Sequence, residues 1–307
     1  SLRSRFNDSI ANYWNYFFKQ ENWKNQVAYQ IAYNHFFPGT ILGQSLITPE
    51  DVKRVTLDQL HSFYLNNYQL SNSLLIIKGN IENPALLYGH IERALSSFKR
   101  QPPLKPGLEK YTINPHEKIY VFNSSADEFP TIYWFEAIST SGSGNPIPAL
   151  VLNNILFTYP TGRLSINARN VDINNLRLQT EMVNHEGISL ITNTIQLKYG
   201  DIEKFLLLLD RERKKIRATP LERQEYLNTF SSIYGRLKVN TQDFEHDASL
   251  HVVRADFYSQ KVTLASLNEI ASDSSHVVIV IVGNAKMILS QLGQSRVEVI
   301  DWPAALP

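Results

Sequence analysis

The feature that most constrains the fold of this 307-residue chain is an order of elements that occurs twice. A helical pattern that begins at Thr56 is followed by a β-branched run ending in Gly-Asn at residues 79–80, and then by a second helical pattern. The same order begins at Thr263 and reaches Gly-Asn at residues 283–284. A repeat of this length, once on each side of a proline-rich stretch, predicts two related units.

The proline-rich stretch lies at residues 99–115, which hold four prolines and few β-branched residues, as is typical of a linker. We therefore predict the distal part of a first unit at residues 1–100, a linker at 101–115 and a second unit at 116–307. The first unit is much the shorter. If the two are related, the first lacks an opening hairpin and helix, so we expect a chain that is missing an N-terminal piece.

Periodicity within the units predicts an α+β fold of mainly antiparallel sheets with helices packed on one face. An aromatic-rich helical pattern covers residues 7–36, and Thr56 and Asn83 are placed to begin two further helices. After the linker, apolar and amphipathic helices are predicted at 146–158 and 201–217. Alternating or β-branched runs predict strands at 73–78, 118–123, 131–138, 176–184, 188–197, 277–282 and 297–300.

Composition excludes several classes of function. Thirty basic against 29 acidic residues give a net charge of +1, without the basic excess expected of a nucleic-acid-binding protein. The chain has no cysteine, which rules out disulfides and thiolate metal sites. No apolar run is long enough for a membrane-spanning helix. The compartment is not determined by these features, although a periplasmic or secreted location is slightly favoured over the cytoplasm.

Several segments together resemble the insulinase, or pitrilysin, family of zinc peptidases. In the first unit they are the Pro-Gly turn at 37–43, the helix at 56–68 and the run at 73–80. In the second unit, residues 150–169 resemble the family's apolar helix followed by Ser-Ser-Arg-Leu and a nearby arginine, here Thr161-Gly162-Arg163-Leu164 and Arg169. Residues 277–284 resemble the closing strand of the family.

The resemblance implies two α+β halves, of which the active one carries H-x-x-E-H on a helix and a more distant glutamate ligand. This motif is absent, and no two of the eight histidines are four residues apart. The glutamate position aligns near Ser9–Asn12, where there is no carboxylate, and a substrate-contacting tyrosine of the second half aligns near Leu176. Arg169 keeps the family's arginine, so it is the candidate substrate-binding residue, although a surface or helix-end role is equally compatible with it.

Weaker metal candidates are also present. Asp243 and His246 are three residues apart and share a helical face, but charged residues on a helix usually form a solvated face. The segment His185-Glu186-Gly187 falls at a predicted hairpin turn. We assign neither as a metal site, so we expect no catalytic residue, no metal ligand and no cofactor in this chain. Zinc would be bound only if an upstream segment or a partner supplied the site.

Two functions remain open. In the first, the chain is a non-catalytic region of an insulinase-type peptidase that contributes to a peptide-binding chamber. It would be inactive alone, and zinc endopeptidase activity would belong to the parent protein or to a homologous catalytic subunit or homodimer. In the second, the chain is a structural or assembly subunit with no peptide-cleaving role. The expected partner is a peptide or unfolded polypeptide, with no nucleic acid and no membrane span.

Overall fold

The structure is a computed structural model that describes the chain in segments. The described residues are 23–40, 42–43, 54–69, 79–96, 117–124, 127–139, 147–185, 188–219, 276–293 and 297–300, with isolated positions at 5, 8, 9, 12, 75, 77, 113, 221, 223–225 and 227–229. Seven helices of at least six residues lie within these segments. They are α1 (Trp23–Phe36), α2 (Leu57–Asn67), α3 (Pro84–Leu95), α4 (Ile147–Phe157), α5 (Arg163–Ala168), α6 (Ile202–Ala218) and α7 (Ala285–Leu292).

Six strands form one sheet in the order β3-β4-β2-β5-β1-β6. The strands are β1 (Lys118–Asn123), β2 (Thr131–Ser139), β3 (Arg177–His185), β4 (Ile188–Gln196), β5 (Val277–Gly283) and β6 (Val297–Ile300). β1 runs parallel to β5 and β6, whereas the β2–β4, β2–β5 and β3–β4 pairings are antiparallel. The predicted α+β class is confirmed, and the described sheet is mixed. All seven residues of β5 are buried, as a Val/Ile-rich strand covered on both faces requires.

One face of the sheet is covered by α4, α5, α6 and α7. Their apolar side chains join inward residues of the strands in a single cluster that includes Trp134, Ile195 and Ile281. Because successive residues of a strand point to opposite faces, the alternate residues of β2, Tyr133 and Phe135, lie on the other face. The helices of the predicted second unit therefore pack on one face, as expected.

The other face is covered by α1, which belongs to the predicted first unit. Val27, Ala28 and Phe36 of α1 are fully buried against β2 and β5. Aromatic rings meet edge to face across this contact, with ring centroids 5.1 Å apart for Tyr29 and Phe135. The aromatic face predicted for residues 7–36 is thus a core-forming face over Trp23–Phe36. The predicted linker lies outside the described residues except for Ile113, so the domain boundaries stay a prediction.

Helices α2 and α3 have no buried residue. Thr56 caps α2 as predicted, in a reciprocal arrangement with Gln59. Phe63 and Tyr64 of this helix are 56% and 54% exposed. The strand predicted at 73–78 is wrong at the two positions described there, because Leu75 and Ile77 lie outside any strand and are exposed. A strand needs a hydrogen-bonded neighbour, and none of the described strands pairs with these positions.

Candidate functional site

Arg169, the predicted substrate-binding residue, lies where α5 passes into a short 3-10 helix over Arg169–Val171. Its side chain is exposed, and within the described residues its guanidinium forms no ion pair. Only its backbone is fixed, since its carbonyl accepts a hydrogen bond from the amide of Asp172 at 3.2 Å. The α5 turn is tight, because a Cβ on Gly162 would lie 2.7 Å from the carbonyl oxygen of Leu156.

Arg163, the other arginine of this segment, has a structural contact instead. Its Nε and Nη2 each donate to one carboxylate oxygen of Glu225 at 2.7 Å. Both side chains are largely shielded from solvent, with 22% and 26% exposure. A two-bond arginine–carboxylate pair of this kind fixes the side chain in place. Of the two arginines in the family-like segment, only Arg169 therefore presents its charge to solvent.

Strand β3 follows Arg169 by eight residues and pairs on one side with β4 over its whole length. Among the described strands, none pairs with the other side, so β3 is an edge of the described sheet. Its side chains alternate between two environments. Those of Leu178, Thr180 and Met182 are half-buried towards the helices, and those of Gln179 and Glu181 are exposed on the α1 face.

A buried polar network fixes this edge strand to the rest of the sheet. The side-chain amides of Asn153 in α4 and Asn193 in β4 bond to each other twice, at 2.7 and 3.0 Å. The hydroxyl of Thr180 in β3 donates to Asn193 Oδ1 at 2.7 Å, and Asn153 Nδ2 donates to Thr180 Oγ1 at 3.3 Å. Because both asparagines are almost fully buried, the three side chains satisfy polar groups that would otherwise be costly there.

On the opposite face, Glu181 of β3 is held by α1. The hydroxyl of Tyr29 donates to Glu181 Oε2 at 2.8 Å, and Gln179 Nε2 donates to Glu181 Oε1 at 3.1 Å. Burial raises the pKa of the Tyr29 phenol, and the nearby Glu181 carboxylate raises it further. The phenol therefore stays protonated and available as a donor throughout the physiological range of pH.

This chain is similar to a known protein family and to several solved structures. Residues 54–188 match the family model described as the peptidase M16 inactive domain. No curated protein sequence matches. A putative M16-like peptidase from Alicyclobacillus acidocaldarius superposes with a TM-score of 0.74 at 14% identity, over 91% of this chain and 70% of that one.

Two other solved structures are similar. The first half of the periplasmic protease PqqL from Escherichia coli gives a TM-score of 0.69 at 14% identity, over 92% of this chain and 66% of that one. A chain of complex III2 from Candida albicans gives 0.66 at 13% identity, over 93% and 76%. At these identities, the structural similarity establishes the fold alone, and the family model adds the inactive-domain match. The resemblance to the insulinase family is confirmed. Over residues 54–188, this chain is similar to the non-catalytic domain of insulinase-like proteins.

The structure gives no zinc-binding group in the part of the M16-like chain that it describes. No three His, Asp or Glu side chains lie together there in a way that could hold a metal ion. Asp243 and His246 lie outside the described residues, as does the Glu186-Gly187 turn. The described residues therefore offer no set of ligands for the zinc ion of insulinase-type peptidases. The expectation that the chain has no metal site stays a prediction.

Two positions that the resemblance singled out have other roles. Leu176, at the family's tyrosine position, is buried in the core under the helices. Ser9, at the expected position of the glutamate ligand, donates a hydrogen bond to the carbonyl of Arg5. Among the described helices of the M16-like chain, none is long and apolar enough to cross a membrane.

Sequence reasoning missed Glu181, because no motif surrounds it. The available signal was its place in a strand pattern. Gln179 and Glu181 are polar residues two apart in a hairpin whose partner strand β4 is otherwise buried. Residues two apart in a strand lie on the same face of the sheet. The spacing of these two polar residues therefore predicts a polar surface at this end of the sheet.

Proposed function

We propose that this chain forms part of the wall of a peptide-binding chamber in an insulinase-like peptidase and does not itself cleave the peptide. The observation that carries the proposal is the edge strand β3, which has nine residues and no described partner on its outer side. An extended peptide can add to such an edge through main-chain hydrogen bonds. The Asn153–Asn193–Thr180 network supports this role, because a binding edge must keep its register against β4.

Arg169 is the proposed contact for a charged group of the peptide. It is an exposed cation eight positions before Arg177, the first residue of the edge strand, whereas Arg163 is already paired with Glu225. A guanidinium binds a carboxylate through two parallel hydrogen bonds, which suits the C-terminus or an acidic side chain of a peptide.

The partner in this proposal is a homologous catalytic subunit or catalytic region, which would bring zinc and the hydrolytic residues. The similarity to an M16-like peptidase and to half of PqqL supports a paired arrangement. The same comparison supports a periplasmic location for this chain as part of the proposal, since PqqL is a periplasmic protease.

The decisive experiment is hydrogen exchange of the whole chain with and without an unstructured peptide. Peptide binding should slow amide exchange in Arg177–His185, while β6 at the other sheet edge serves as the internal control. A peptide of the same sequence that is N-methylated at alternate residues loses its strand-pairing amides and should give no protection. Equal protection by both peptides, or protection confined to β6, would refute strand addition at β3.

The contact by Arg169 is tested separately. Arg169→Gln should weaken binding of a peptide with a free C-terminal carboxylate by about two- to fivefold and leave the amidated peptide unaffected. Arg223→Gln is the matched control, because Arg223 is also exposed and forms no ion pair among the described residues. Equal losses of affinity in the two variants would show that Arg169 does not contact the peptide.

The second candidate function is an assembly subunit without a role in peptide cleavage. The similarity to a chain of complex III2 favours it, as do the exposed apolar side chains of α2 and α3. A stable hetero-oligomer that forms in the absence of any peptide protection at β3 would support this alternative over the chamber.

A further inference from the structure

The carboxylate of Glu181 is fixed in position, but none of the described residues supplies it with a positive partner. Both of its oxygens accept hydrogen bonds, and both donors, Tyr29 and Gln179, are neutral. Within the described residues, no Lys, Arg or His side chain forms an ion pair with it. The other described carboxylates that accept a side-chain hydrogen bond receive it from Lys or Arg, namely Asp127, Asp210, Glu212, Glu225 and Glu298.

The position of Glu181 matters because it lies in the middle of the edge strand. A strand that adds to the outer side of β3 continues the alternation of side chains, so every second residue falls on the α1 face beside Glu181. Directly opposed residues on neighbouring strands have their Cβ atoms about 4.5–5.5 Å apart. A lysine or arginine opposite Glu181 therefore reaches its carboxylate without leaving the strand.

The next exposed residue on the same face is Val183, which is 39% exposed. Val183 favours an apolar residue in the bound peptide, two positions from the basic residue. In an antiparallel peptide the apolar residue precedes the basic residue, and in a parallel peptide it follows the basic residue. We propose that Glu181 selects the bound peptide, so that the chain prefers extended segments with a basic residue opposite Glu181 and an apolar residue two positions away. This inference rests on the proposed function, because it concerns the specificity of the same edge.

Tyr29 acts as a positioning residue in this arrangement. Its ring packs edge to face on Phe135 and its hydroxyl points to Glu181, so α1 sets the direction of the carboxylate. Without that hydrogen bond, Glu181 would have the rotational freedom of an ordinary surface glutamate. The free energy of an ion pair with the peptide would then be less favourable, because the side chain loses more entropy when it pairs. The charge preference should therefore depend on residues from both β3 and α1.

The test uses the whole chain and three fluorescently labelled nine-residue peptides of Thr and Ser with Lys, norleucine or Glu at the centre. The Lys peptide should bind about two- to fivefold more tightly than the norleucine peptide, and the Glu peptide more weakly than either. Glu181→Gln should remove the difference in affinity between the Lys and norleucine peptides. Glu128→Gln should leave the preference intact, because Glu128 is an exposed glutamate between β1 and β2 that pairs with none of the described residues.

The outcomes distinguish failure of this inference from failure of the proposed peptide-binding function. Equal affinity for all three peptides, or a Lys preference that survives Glu181→Gln, would refute selection by Glu181. Neither result would contradict the proposed peptide-binding function. Failure of every peptide to bind or to protect β3 overturns the chamber itself. Tyr29→Phe supplies an independent readout, because it keeps the ring and the charge but should reduce the Lys preference and make it more sensitive to salt.

Discussion

Replacing Asn193 by alanine should destabilise the protein by an amount that can be counted from its contacts. Asn193 makes three side-chain hydrogen bonds, two with Asn153 and one with Thr180. At a net value of about 1 kcal/mol each, Asn193→Ala should lower the free energy of unfolding by about 3 kcal/mol. Asn153→Ala removes the same two shared bonds and one to Thr180, so it should lower the free energy by a similar amount.

The double variant tests whether the network acts as a unit. Because the two single changes remove two bonds in common, the pair should lower the free energy of unfolding by about 4 kcal/mol, which leaves a coupling energy of about 2 kcal/mol. Urea unfolding followed by far-ultraviolet circular dichroism measures all four corners of the cycle. Additive losses within about 0.5 kcal/mol would refute the reasoning, since they would mean that the two amides do not bond to each other.

A matched pair of leucines supplies the control. Asn153→Leu with Asn193→Leu removes both polar partners together and leaves side chains of similar size, so it should be far less damaging than either single alanine. The hydroxyl of Thr180 is only half-buried and can turn to water. A double leucine variant as unstable as the double alanine variant would point to packing, and not hydrogen bonding, as the source of the loss.

Further predictions concern the rest of the chain. Gly162→Ala should destabilise the protein by more than about 2 kcal/mol in urea, because its Cβ meets backbone at 2.7 Å, whereas Gly200→Ala, which meets nothing within 4 Å, should change little. Phe36→Ala, at a fully buried ring, should lower the free energy of unfolding by about 3–4 kcal/mol, and Leu60→Ala on exposed α2 by about 0.5 kcal/mol or less. Burial raises the pKa values of Tyr29 and Tyr133 above those of the unfolded chain, so the urea midpoint should fall as pH rises above about 10, and Tyr29→Phe should reduce that fall. Metal analysis of the purified chain should find no stoichiometric zinc, and an equivalent that survives dialysis would contradict this expectation.

Much of the fold was predictable because its signals are local. The bounds predicted for β1 and β6 agree with the structure, and α4 and α6 differ from their predictions by one residue at each end. Val/Ile content and alternation mark strands wherever the segment is flanked by turn residues. The start of α2 at Thr56 was equally predictable, since a threonine with glutamine three residues later is a capping pattern.

The parts that were not predictable depend on contacts between distant residues. Tyr29 and Glu181 are 152 positions apart, and the asparagine pair is 40 apart, so neither leaves a mark in the local sequence. The same limit explains why the strand prediction was wrong at Leu75 and Ile77, the two described positions of residues 73–78. The composition of this segment favours a strand, but composition says nothing about whether a neighbouring strand is present to pair with it. Arg169 could be proposed only from resemblance, and nothing local distinguished it from Arg163.

The position of α1 has a practical consequence for handling the protein. Lys24 bonds to Asp127 and Asn25 to Tyr133, so the helix is attached to the sheet by polar contacts as well as by Val27 and Phe36. A protease cut anywhere in residues 101–115 would break the chain between this helix and the strands that it covers. The nicked protein should nevertheless migrate as a single species on a native column and separate into two fragments only in denaturant.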